Sequence, residues 1–238
     1  MLDPYLIAEM LKHAEAAYPN EACGLIVAAG KKPLLVVCQN VDEQPGQQFT
    51  ISADDYEAAE ECGPVIAVWH SHVNESPEPS MADRQLIEAT GLPWHIVSWP
   101  GKGYAYAEPC GFVAPYEGRP FVHGIHDCYS LIRDYYQREY GLYLNDYPRA
   151  VEWWNKGDDL YLQNFEREGF KRLIDAEFQP GDVLLMRIGD TQTTNHGAIY
   201  LGNGEMLHHV TNRLSCRDVL NGYYQRGITH HLRHETKL

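Results

Sequence analysis

Cysteine pairs at metal-binding spacing are absent from this sequence. Its six cysteines lie scattered along 238 residues, and no two of them form a CxxC pair. This distribution disfavours both a structural zinc cage of thiolates and a disulfide framework. We expect most of the thiols to be small buried hydrophobic groups in a chain made in a reducing compartment.

Long apolar runs and an excess of basic charge are also missing. No apolar run approaches the roughly 20 residues that span a bilayer, so no membrane span is expected. The first residues lack the basic and apolar segments of a signal peptide. The chain has 19 Lys and Arg against 33 Asp and Glu, a net charge of −14. Because nucleic-acid binding requires cationic contacts to phosphates, neither DNA nor RNA is expected as the main ligand.

Hydrophobic residues make up 44% of the chain, which is enough to bury a core. The first half predicts a helix capped by Asp3, then strands 23–28, 34–38 and 49–52, helix 53–62, strand 65–72, helix 81–90, and strands 94–99 and 104–107. Pro109, Gly111 and Pro115 predict a short linker. The second half predicts helix 127–140, then strands 182–188, 197–201 and 205–210. The expected fold class is α+β with two domains, residues 1–108 and 112–238.

Two histidines, His70 and His72, stand at the end of a predicted strand. Alternate strand residues share a face, so both imidazoles project together and suit two ligands of one metal. Asp83 on the next helix is a candidate third ligand, which leaves one position open for water. Each piece alone also has an ordinary explanation. His-x-His pairs are common on surfaces, and Ser80 with Asp83 also forms a typical helix N-cap.

Together these residues resemble the JAMM (MPN-type) metalloprotease signature, a Glu on an early element followed by His-x-His, seven residues and Ser-x-x-Asp. Glu21 holds the first position and Ser80 opens the last. The resemblance spans residues 1–108 and implies a mixed sheet with flanking helices. It also implies Zn²⁺ bound by His70, His72 and Asp83. Glu21 would be the general acid/base and Ser80 would steady the oxyanion during cleavage of a peptide or isopeptide bond.

A second group of residues surrounds Cys128. Asp127 can cap the predicted helix 127–140, which places Cys128 in the first turn, where free N–H groups and the helix dipole favour a thiolate. His196 begins an apolar strand, and the Gly-Asn-Gly turn that follows predicts a hairpin that returns His208 beside it. A cysteine nucleophile needs such a base and orienting group. A buried structural thiol remains the alternative for a lone cysteine.

The spacing of Asp-Cys-Tyr-x-Leu, the strand that starts at Asn195-His196, and His208 resembles the NlpC/P60 cysteine peptidase family over residues 112–238. The resemblance implies a papain-like helix packed on an antiparallel sheet. Cys128 would be the nucleophile, His196 the base and His208 the orienting residue. Tyr116, twelve residues before Cys128, matches a tyrosine of the family site and would assist the oxyanion. The chain has Tyr129-Ser130 where many members have Ser-Gly, so Tyr129 is expected to narrow the substrate groove.

The order of the two domains resembles the lambda-type phage tail assembly protein K family. The resemblance implies a role at the tip of a siphophage-like tail, with cleavage of the D-glutamyl–diaminopimelyl bond in peptidoglycan stem peptides. The zinc domain would process a tail protein or another amide. Peptidoglycan and other tail tip proteins are the implied partners. The implied location is the host cytoplasm during assembly or the virion tail tip.

Two other functions stay open at this point. The chain is alternatively a tail assembly or scaffold component whose enzyme folds act mainly as binding modules. In that case particles assemble normally when Cys128 and His70 are both replaced by alanine. The second alternative is a cellular amide hydrolase outside any virus. Genes for tail proteins next to the gene of this chain would argue against it.

Overall fold

The computed structural model describes residues 2–30 and 32–237, and the chain divides into two compact units, Met1–Val113 and Ala114–Leu238. Residues 1 and 238, the outer ends of the two predicted domains, lie outside the described residues, as does residue 31 within the first. Each unit combines helices with one sheet, so the predicted α+β class is confirmed. Within the described ranges, no helix is long and apolar enough to cross a membrane.

The first unit is a mixed sheet flanked by helices. Its elements are α1 (Pro4–Ala17), β1 (Cys23–Ala29), β2 (Lys32–Cys38), α2 (Ala53–Cys62), β3 (Val65–Val73), α3 (Met81–Thr90), β4 (Trp94–Trp99) and β5 (Tyr104–Ala107). The strand order is β2-β1-β3-β4-β5. Strands β3 and β4 pair in parallel, while the other neighbours pair in antiparallel fashion.

Helix α1 begins and packs as its sequence predicts. The Asp3 carboxylate accepts a hydrogen bond of 2.9 Å from a backbone N–H of the first turn, where Pro4 also stands. Leu6, Met10 and Ala14 recur at a spacing of four residues and are the buried face of the helix. This face contacts β3 and β4, so α1 covers one side of the sheet.

Strand β3 distributes its side chains between the two faces of the sheet. Trp69 packs in the apolar cluster on the α1 side, and Val68 packs in the cluster on the other side. His70 and His72 alternate with Trp69 and therefore lie on the face opposite α1. Because β3 and β4 are parallel, the chain must cross over between them, and α3 forms this crossover. The crossover returns Asp83, in the first turn of α3, to the end of β3.

The predicted strand 49–52 is wrong. Of this segment, only Ile51 forms an isolated bridge, with Asn40. The side chain of Asn40 holds the loop that leads into this segment, because its amide donates to the carbonyls of Glu21, Pro45 and Gln48. Its side-chain oxygen accepts the N–H of Thr50 as well. Thr50 is thus satisfied by one side chain and one backbone group, since its carbonyl accepts the Val41 N–H at 3.0 Å, rather than by a continuous ladder.

The second unit is an antiparallel sheet with helices on both faces. Its elements are α4 (Cys128–Tyr140), the 3₁₀ turn Trp153–Asn155, α5 (Leu160–Asn164), β6 (Phe170–Leu173), β7 (Val183–Met186), β8 (His196–Gly202), β9 (Glu205–His208), β10 (Cys216–Val219), α6 (Gly222–Gly227), β11 (Ile228–His234) and the 3₁₀ turn Glu235–Lys237. The strand order is β10-β9-β8-β7-β11-β6. Each neighbouring pair is antiparallel.

Helix α4 is held on the sheet by large buried side chains. Leu131 and Tyr136 pack with Ile199 of β8 in one apolar cluster. On the other face of the sheet, Ala198 packs with Tyr224 of α6. The sheet is therefore covered on both sides, and α4 contacts β8 directly. This packing holds the first turn of α4 against β8, the strand that begins with His196.

Strands β6, β10 and β11 are missing from the sequence prediction because their residues are too polar to form an apolar run. Strands β6 and β10 lie at the two edges of the sheet, where polar side chains remain exposed. Strand β11 lies inside the sheet, where its polar side chains find a buried partner. His231 lies 2.6 Å and Arg233 2.8 Å from the carboxylate of Asp182. Only the folded chain supplies that partner.

Replacement of Gly24 by alanine tests the close packing of β1. A Cβ at this position would overlap the Val36 carbonyl oxygen on β2 and lie 2.5 Å from Nε1 of Trp69, which itself donates to that carbonyl at 3.1 Å. We expect Gly24→Ala to lower the free energy of unfolding by about 2–3 kcal/mol, because overpacking and a lost hydrogen bond combine. Denaturant-induced unfolding measures this.

Gly91→Ala is the matched control for this substitution. Gly91 has φ of 66° and no heavy atom within 4 Å of an added Cβ. Alanine at this position would pay only the cost of a left-handed backbone conformation, about 1 kcal/mol of unfolding free energy. Equal losses for the two variants would contradict the packing argument.

Candidate metal centre and cysteine site

Three side chains predicted as metal ligands converge at the end of β3. One ligand atom from each of His70, His72 and Asp83 lies within 4.8 Å of the others, and all three residues are buried. Nε2 of His70 is 3.4 Å from one carboxylate oxygen of Asp83, and Nε2 of His72 is 3.1 Å from the other. The set offers two imidazole nitrogens and a carboxylate oxygen, the donor types that a catalytic zinc site uses.

The surroundings fix how each imidazole faces the cluster. Nδ1 of His72 lies 2.6 Å from the Ser76 carbonyl oxygen, to which it donates. Nε2 is therefore the nitrogen of His72 that is available to a metal once its proton leaves. Phe49 stacks on the His70 ring at 4.8 Å, and Trp94 meets that ring edge-on at 5.4 Å. These aromatic contacts hold His70 in place and exclude water from its sides.

Ser80 and Asp83 form a reciprocal capping box at the start of α3. The Ser80 hydroxyl accepts the Asp83 N–H at 3.1 Å, and the Asp83 carboxylate accepts the Ser80 N–H at 2.7 Å. Ser80 and Asp83 thus form a helix N-cap, and this cap does not prevent Asp83 from being a metal ligand. The cap fixes the rotamer of Asp83, and the fixed carboxylate faces both histidines.

The protonation of these groups follows from burial and from the short contacts among them. Burial acts to lower the pKa of His72, but the hydrogen bonds to Asp83 and to the Ser76 carbonyl outweigh it and raise the pKa to about 9. Burial lowers the pKa of His70 to about 4. Burial acts to raise the pKa of Asp83, but the two histidines hold it far below its ordinary value. At neutral pH in the metal-free protein, His72 is therefore a protonated cation and Asp83 an ionised carboxylate.

Glu21 enters the same neighbourhood from the segment just before β1. Its side chain is buried, and burial raises its pKa to about 8, with the Asp83 charge adding to the effect and His72 opposing it. A carboxyl group with a pKa near neutrality can both accept and donate a proton. Ser71, between the two histidines, positions this segment: its hydroxyl accepts the Ala22 N–H at 2.8 Å, and its own N–H donates to the Ala22 carbonyl at 2.8 Å.

In the second unit, Cys128 occupies the first position of α4. Its Sγ lies 3.2 Å from the hydroxyl of Tyr161 on α5 and also accepts the backbone N–H of Gly197. A Cβ on Gly197 would lie 2.7 Å from Cδ1 of Ile132 and 3.0 Å from the Tyr161 hydroxyl oxygen. Only glycine at this position lets β8 approach α4 closely enough for its N–H to reach the sulfur.

A buried ion pair anchors the start of α4. The Asp127 carboxylate accepts the Ser130 N–H at 2.9 Å as the N-cap and the Gly124 N–H at 2.9 Å. It also binds the Arg149 guanidinium at 2.6 Å, and both side chains are almost fully buried. Arg149 donates further to the Gly124 carbonyl at 3.0 Å. One ion pair thus ties the loop before Cys128, the cap and the segment after α4 together.

His196 and His208 meet as neighbours on the β8–β9 hairpin. The register places His208 opposite Ala198, two residues from His196, so the two imidazoles share a face. Nε2 of His196 is 3.2 Å from Nδ1 of His208. Nε2 of His208 is in turn 3.8 Å from the Asp218 carboxylate on β10. The contact with His208 thus uses Nε2 of His196 and not Nδ1.

The structure corrects the expected thiolate at Cys128. Burial raises the pKa of the thiol above its ordinary value, and the Asp127 carboxylate raises it further, while the contacts from Tyr161 and Gly197 oppose this. Burial lowers the pKa of His196 to about 3. Desolvation and the adjacent carboxylate therefore outweigh the contacts from Tyr161 and Gly197 that favour the thiolate. The resting pair is a neutral thiol and a neutral imidazole.

Cys128 and His196 line one cavity of about 350 Å³, together with Asp127, Tyr129 and Tyr161. Its further walls are largely aromatic and include Phe121, Tyr147, Trp153, Trp154 and Phe165. Tyr129, which stands where many family members have serine, thus faces the cavity, as expected of a side chain that narrows the substrate groove. A largely apolar cleft with one sulfur and one imidazole suits acyl transfer.

Tyr116 lies elsewhere in this unit. Its hydroxyl donates to Glu139 at 3.0 Å, and its ring packs against Tyr135 and Arg138 on α4. Tyr116 is not among the residues that line the cavity in the described chain. The hydroxyl beside the sulfur belongs instead to Tyr161, 33 residues after Cys128. No motif or spacing in the sequence points to Tyr161 or to Arg149.

Comparisons with known proteins bear on both units. The family model described as prokaryotic homologs of the JAB domain matches residues 3–122, and that of the NlpC/P60 family matches residues 118–233. Tail tip assembly protein K of Escherichia phage N15 is 36% identical over 221 residues, which cover 92% of this chain and 90% of that protein. This chain belongs to the tail tip assembly protein K family.

Tail tip assembly protein K of Escherichia phage lambda is 40% identical over 182 residues, or 76% of this chain and 87% of that protein. The predicted resemblance to this family, with a JAB-like part ahead of an NlpC/P60 part, is therefore confirmed. Among solved structures, a protein from Desulfitobacterium hafniense has a TM-score of 0.38 and 25% identity, covering 46% of this chain and 90% of that one.

The ionisation of Cys128 can be measured by its alkylation rate. We expect the rate with iodoacetamide, followed by mass spectrometry of the peptide that contains Cys128, to rise through pH 9 without a plateau. The reason is that the folded-state pKa lies above the ordinary thiol value, so the reactive thiolate is scarce at neutral pH. The same cysteine in guanidinium-unfolded protein is the control and should reach its plateau earlier. A plateau below pH 7 in the folded protein would instead show a preformed thiolate.

Proposed function

We propose that this chain is a phage tail tip assembly protein with two hydrolytic sites: a peptidoglycan endopeptidase site at Cys128 and a zinc-dependent peptidase or isopeptidase site at His70, His72 and Asp83. We assign the zinc site to domain 1–108 and the cysteine site to domain 112–238. The observation that carries the proposal is that Cys128 and His196 line one cavity while His208 orients His196 at 3.2 Å. The match to the NlpC/P60 family over residues 118–233 supports the peptidase chemistry.

At the cysteine site, Nδ1 of neutral His196 takes the thiol proton as Sγ of Cys128 attacks the scissile carbonyl. The imidazolium that forms is stabilised because its Nε2–H donates to Nδ1 of His208. His196 then gives the proton to the leaving amine, and water hydrolyses the thioester by the reverse sequence. Since the resting pair is neutral, thiol deprotonation and attack are coupled.

The oxyanion requires donors beside the sulfur. The backbone N–H of Cys128 lies in the first turn of α4, where helix N–H groups have no intrahelical partner. We assign the second donor to the Tyr161 hydroxyl, in the role that the family resemblance gives to Tyr116. Burial raises the pKa of Tyr161 well above its ordinary value, so its hydroxyl keeps its proton and can donate.

Cys128→Ala tests the peptidase. We expect release of stem-peptide fragments from purified peptidoglycan to fall by more than about 10³-fold, because the nucleophile is lost. Mass spectrometry of the products identifies the bond, and new amino ends on diaminopimelate would mark the D-glutamyl–diaminopimelyl linkage. Cys62→Ala, which removes an exposed thiol, is the matched control. Equal digestion by the Cys128 variant and the wild type would contradict the proposed peptidase.

The residues of the metal centre fit zinc. Two nitrogens and one oxygen within 4.8 Å are buried together, and the Ser76 carbonyl holds Nδ1 of His72 so that Nε2 faces the cluster. Three protein ligands leave one position for water or substrate. When bound there, zinc would polarise the scissile carbonyl and lower the pKa of water.

Glu21 and Ser80 supply what the ligands do not. With a pKa raised to about 8 by burial, Glu21 can take a proton from water and pass it to the leaving amine. The Ser80 hydroxyl accepts the Asp83 N–H, which leaves its own proton free to donate to a developing oxyanion. We propose a tail protein or another amide as the substrate of this site.

His70→Ala tests the metal centre. We expect purified protein to lose about one equivalent of zinc relative to the wild type, because one of three protein ligands is gone. Elemental analysis of dialysed protein measures this. The matched control is His95→Ala, which removes another buried histidine of the same sheet whose Nδ1 pairs with the Tyr104 hydroxyl at 2.8 Å. Equal zinc content in the two variants would refute the assigned ligands.

The cellular context of the proposal comes from the relatives. Two curated relatives at 36% and 40% identity are described as tail tip assembly proteins. We therefore propose other tail tip proteins and peptidoglycan stem peptides as partners, with action in the host cytoplasm during assembly or at the virion tail tip. The net charge of −14 suits docking onto tail proteins better than binding to nucleic acid.

A further inference from the structure

A second group of potential metal ligands lies on the outer side of His208. The antiparallel register places Cys216 of β10 directly opposite His208 of β9, and Asp218 follows two residues later on the same face. Ligand atoms of His208, Cys216 and Asp218 all lie within 4.8 Å of one another. In a tetrahedral zinc site, donors at 2.0–2.3 Å from the ion are about 3.3–3.8 Å apart, so small side-chain movements close this cluster.

The buried imidazole nitrogen gives independent evidence for a ligand. His208 is 1% exposed, and its Nε2 has no hydrogen-bond partner in the described structure. The nearest acidic oxygen, on Asp218, is 3.8 Å away, beyond hydrogen-bond distance. A buried polar atom without a partner is costly. A cation between His208, Cys216 and Asp218 would satisfy it.

The surroundings already orient two of these ligands. The Tyr224 hydroxyl donates at 3.2 Å to Oδ2 of Asp218, the oxygen that lies 3.8 Å from Nε2 of His208, and the Val219 N–H donates to Oδ1 at 2.8 Å, so both contacts fix the carboxylate. The Tyr224 ring also meets the His208 ring edge-on, with centroids 5.1 Å apart. Such outer contacts orient ligands in metal sites. Cys216 is half-buried, so the cluster is open to an ion from solution.

We propose that His208, Cys216 and Asp218 form a second metal site that takes Zn²⁺, and that the bound ion inhibits the cysteine site through His208. One imidazole nitrogen, one thiolate and one carboxylate are a donor set that zinc accepts, with water as the fourth ligand. On binding, the Cys216 thiol releases its proton to solvent. The inhibitory part of this inference rests on the proposed peptidase function.

The coupling follows from the single proton that each neutral imidazole carries. For His196 to accept the Cys128 proton at Nδ1, its own proton must be on Nε2, donated to Nδ1 of His208. His208 then carries its proton on Nε2. A metal on that Nε2 moves the His208 proton to Nδ1, which now donates to His196. Neutral His196 must hold its proton on Nδ1 and cannot act as a base toward Cys128.

Cobalt titration of the metal-free full chain tests the site. Co²⁺ takes zinc sites, and a thiolate ligand adds a near-ultraviolet sulfur-to-metal absorption band that the His70, His72 and Asp83 centre cannot produce. We expect the band to saturate by about two equivalents, since the His70 centre takes up the other, to disappear in Cys216→Ser and to persist in Cys128→Ser. Asp218→Asn should keep the band but weaken Co²⁺ binding by more than about tenfold. Absence of the band, or its persistence in Cys216→Ser, overturns the site.

The inhibition is measured by peptidoglycan digestion, with each variant compared with its own metal-free rate. We expect about one equivalent of Zn²⁺ at the second site to reduce the wild-type rate more than tenfold, and Cys216→Ser to be insensitive. Equal inhibition of Cys216→Ser would mean that Zn²⁺ acts at Cys128 itself, which overturns the coupling. If the metal-free chain does not digest peptidoglycan at all, the peptidase function and the coupling fail together. The cobalt band still decides the metal site separately.

Discussion

The hydrogen bond between Nε2 of His196 and Nδ1 of His208 is the contact on which the cysteine site depends. It exists because the β8–β9 register places the two imidazoles on one face, and because both are buried too deeply for water to compete. It leaves Nδ1 as the second nitrogen of His196, the one that the proposed mechanism uses toward Cys128. It also extends the site outward, since the other nitrogen of His208 faces Asp218. Any change in the protonation of His208 therefore reaches His196 through one hydrogen bond.

Burial controls protonation at both sites, in directions that serve proton exchange. It raises the pKa of Glu21 to about 8 and lowers that of His196 to about 3. It also raises the pKa of the Cys128 thiol, so that neither member of the cysteine–histidine pair is charged at rest. Desolvation disfavours charge wherever it is not paired. The charges that persist inside are paired, as Asp83 is with His72 and Asp127 with Arg149.

Both sites are built at the first turn of a helix, and in both the cap has a second task. The capping box between Ser80 and Asp83 fixes a carboxylate that faces two histidines. The N-cap Asp127 satisfies one backbone N–H group of α4, that of Ser130, and holds Arg149. Helix starts carry unpaired N–H groups that need such side chains. Residues required for helix formation are thereby placed beside the reacting groups at no further structural cost.

The sequence by itself determined the local elements and the residues that share them. Strand alternation placed His70 and His72 on one face, and helix capping located Asp83 and Cys128. The hairpin turn brought His208 beside His196. Each of these patterns acts over a few residues and can therefore be read from the sequence. Only the tertiary structure placed Tyr161 beside Cys128, moved Tyr116 away from it, paired Asp127 with Arg149 and set Cys216 and Asp218 against His208. Those contacts join segments that are far apart in the sequence, and no local pattern of residues predicts which of them meet. The packing of helices on the sheet and of strands beside each other decided them.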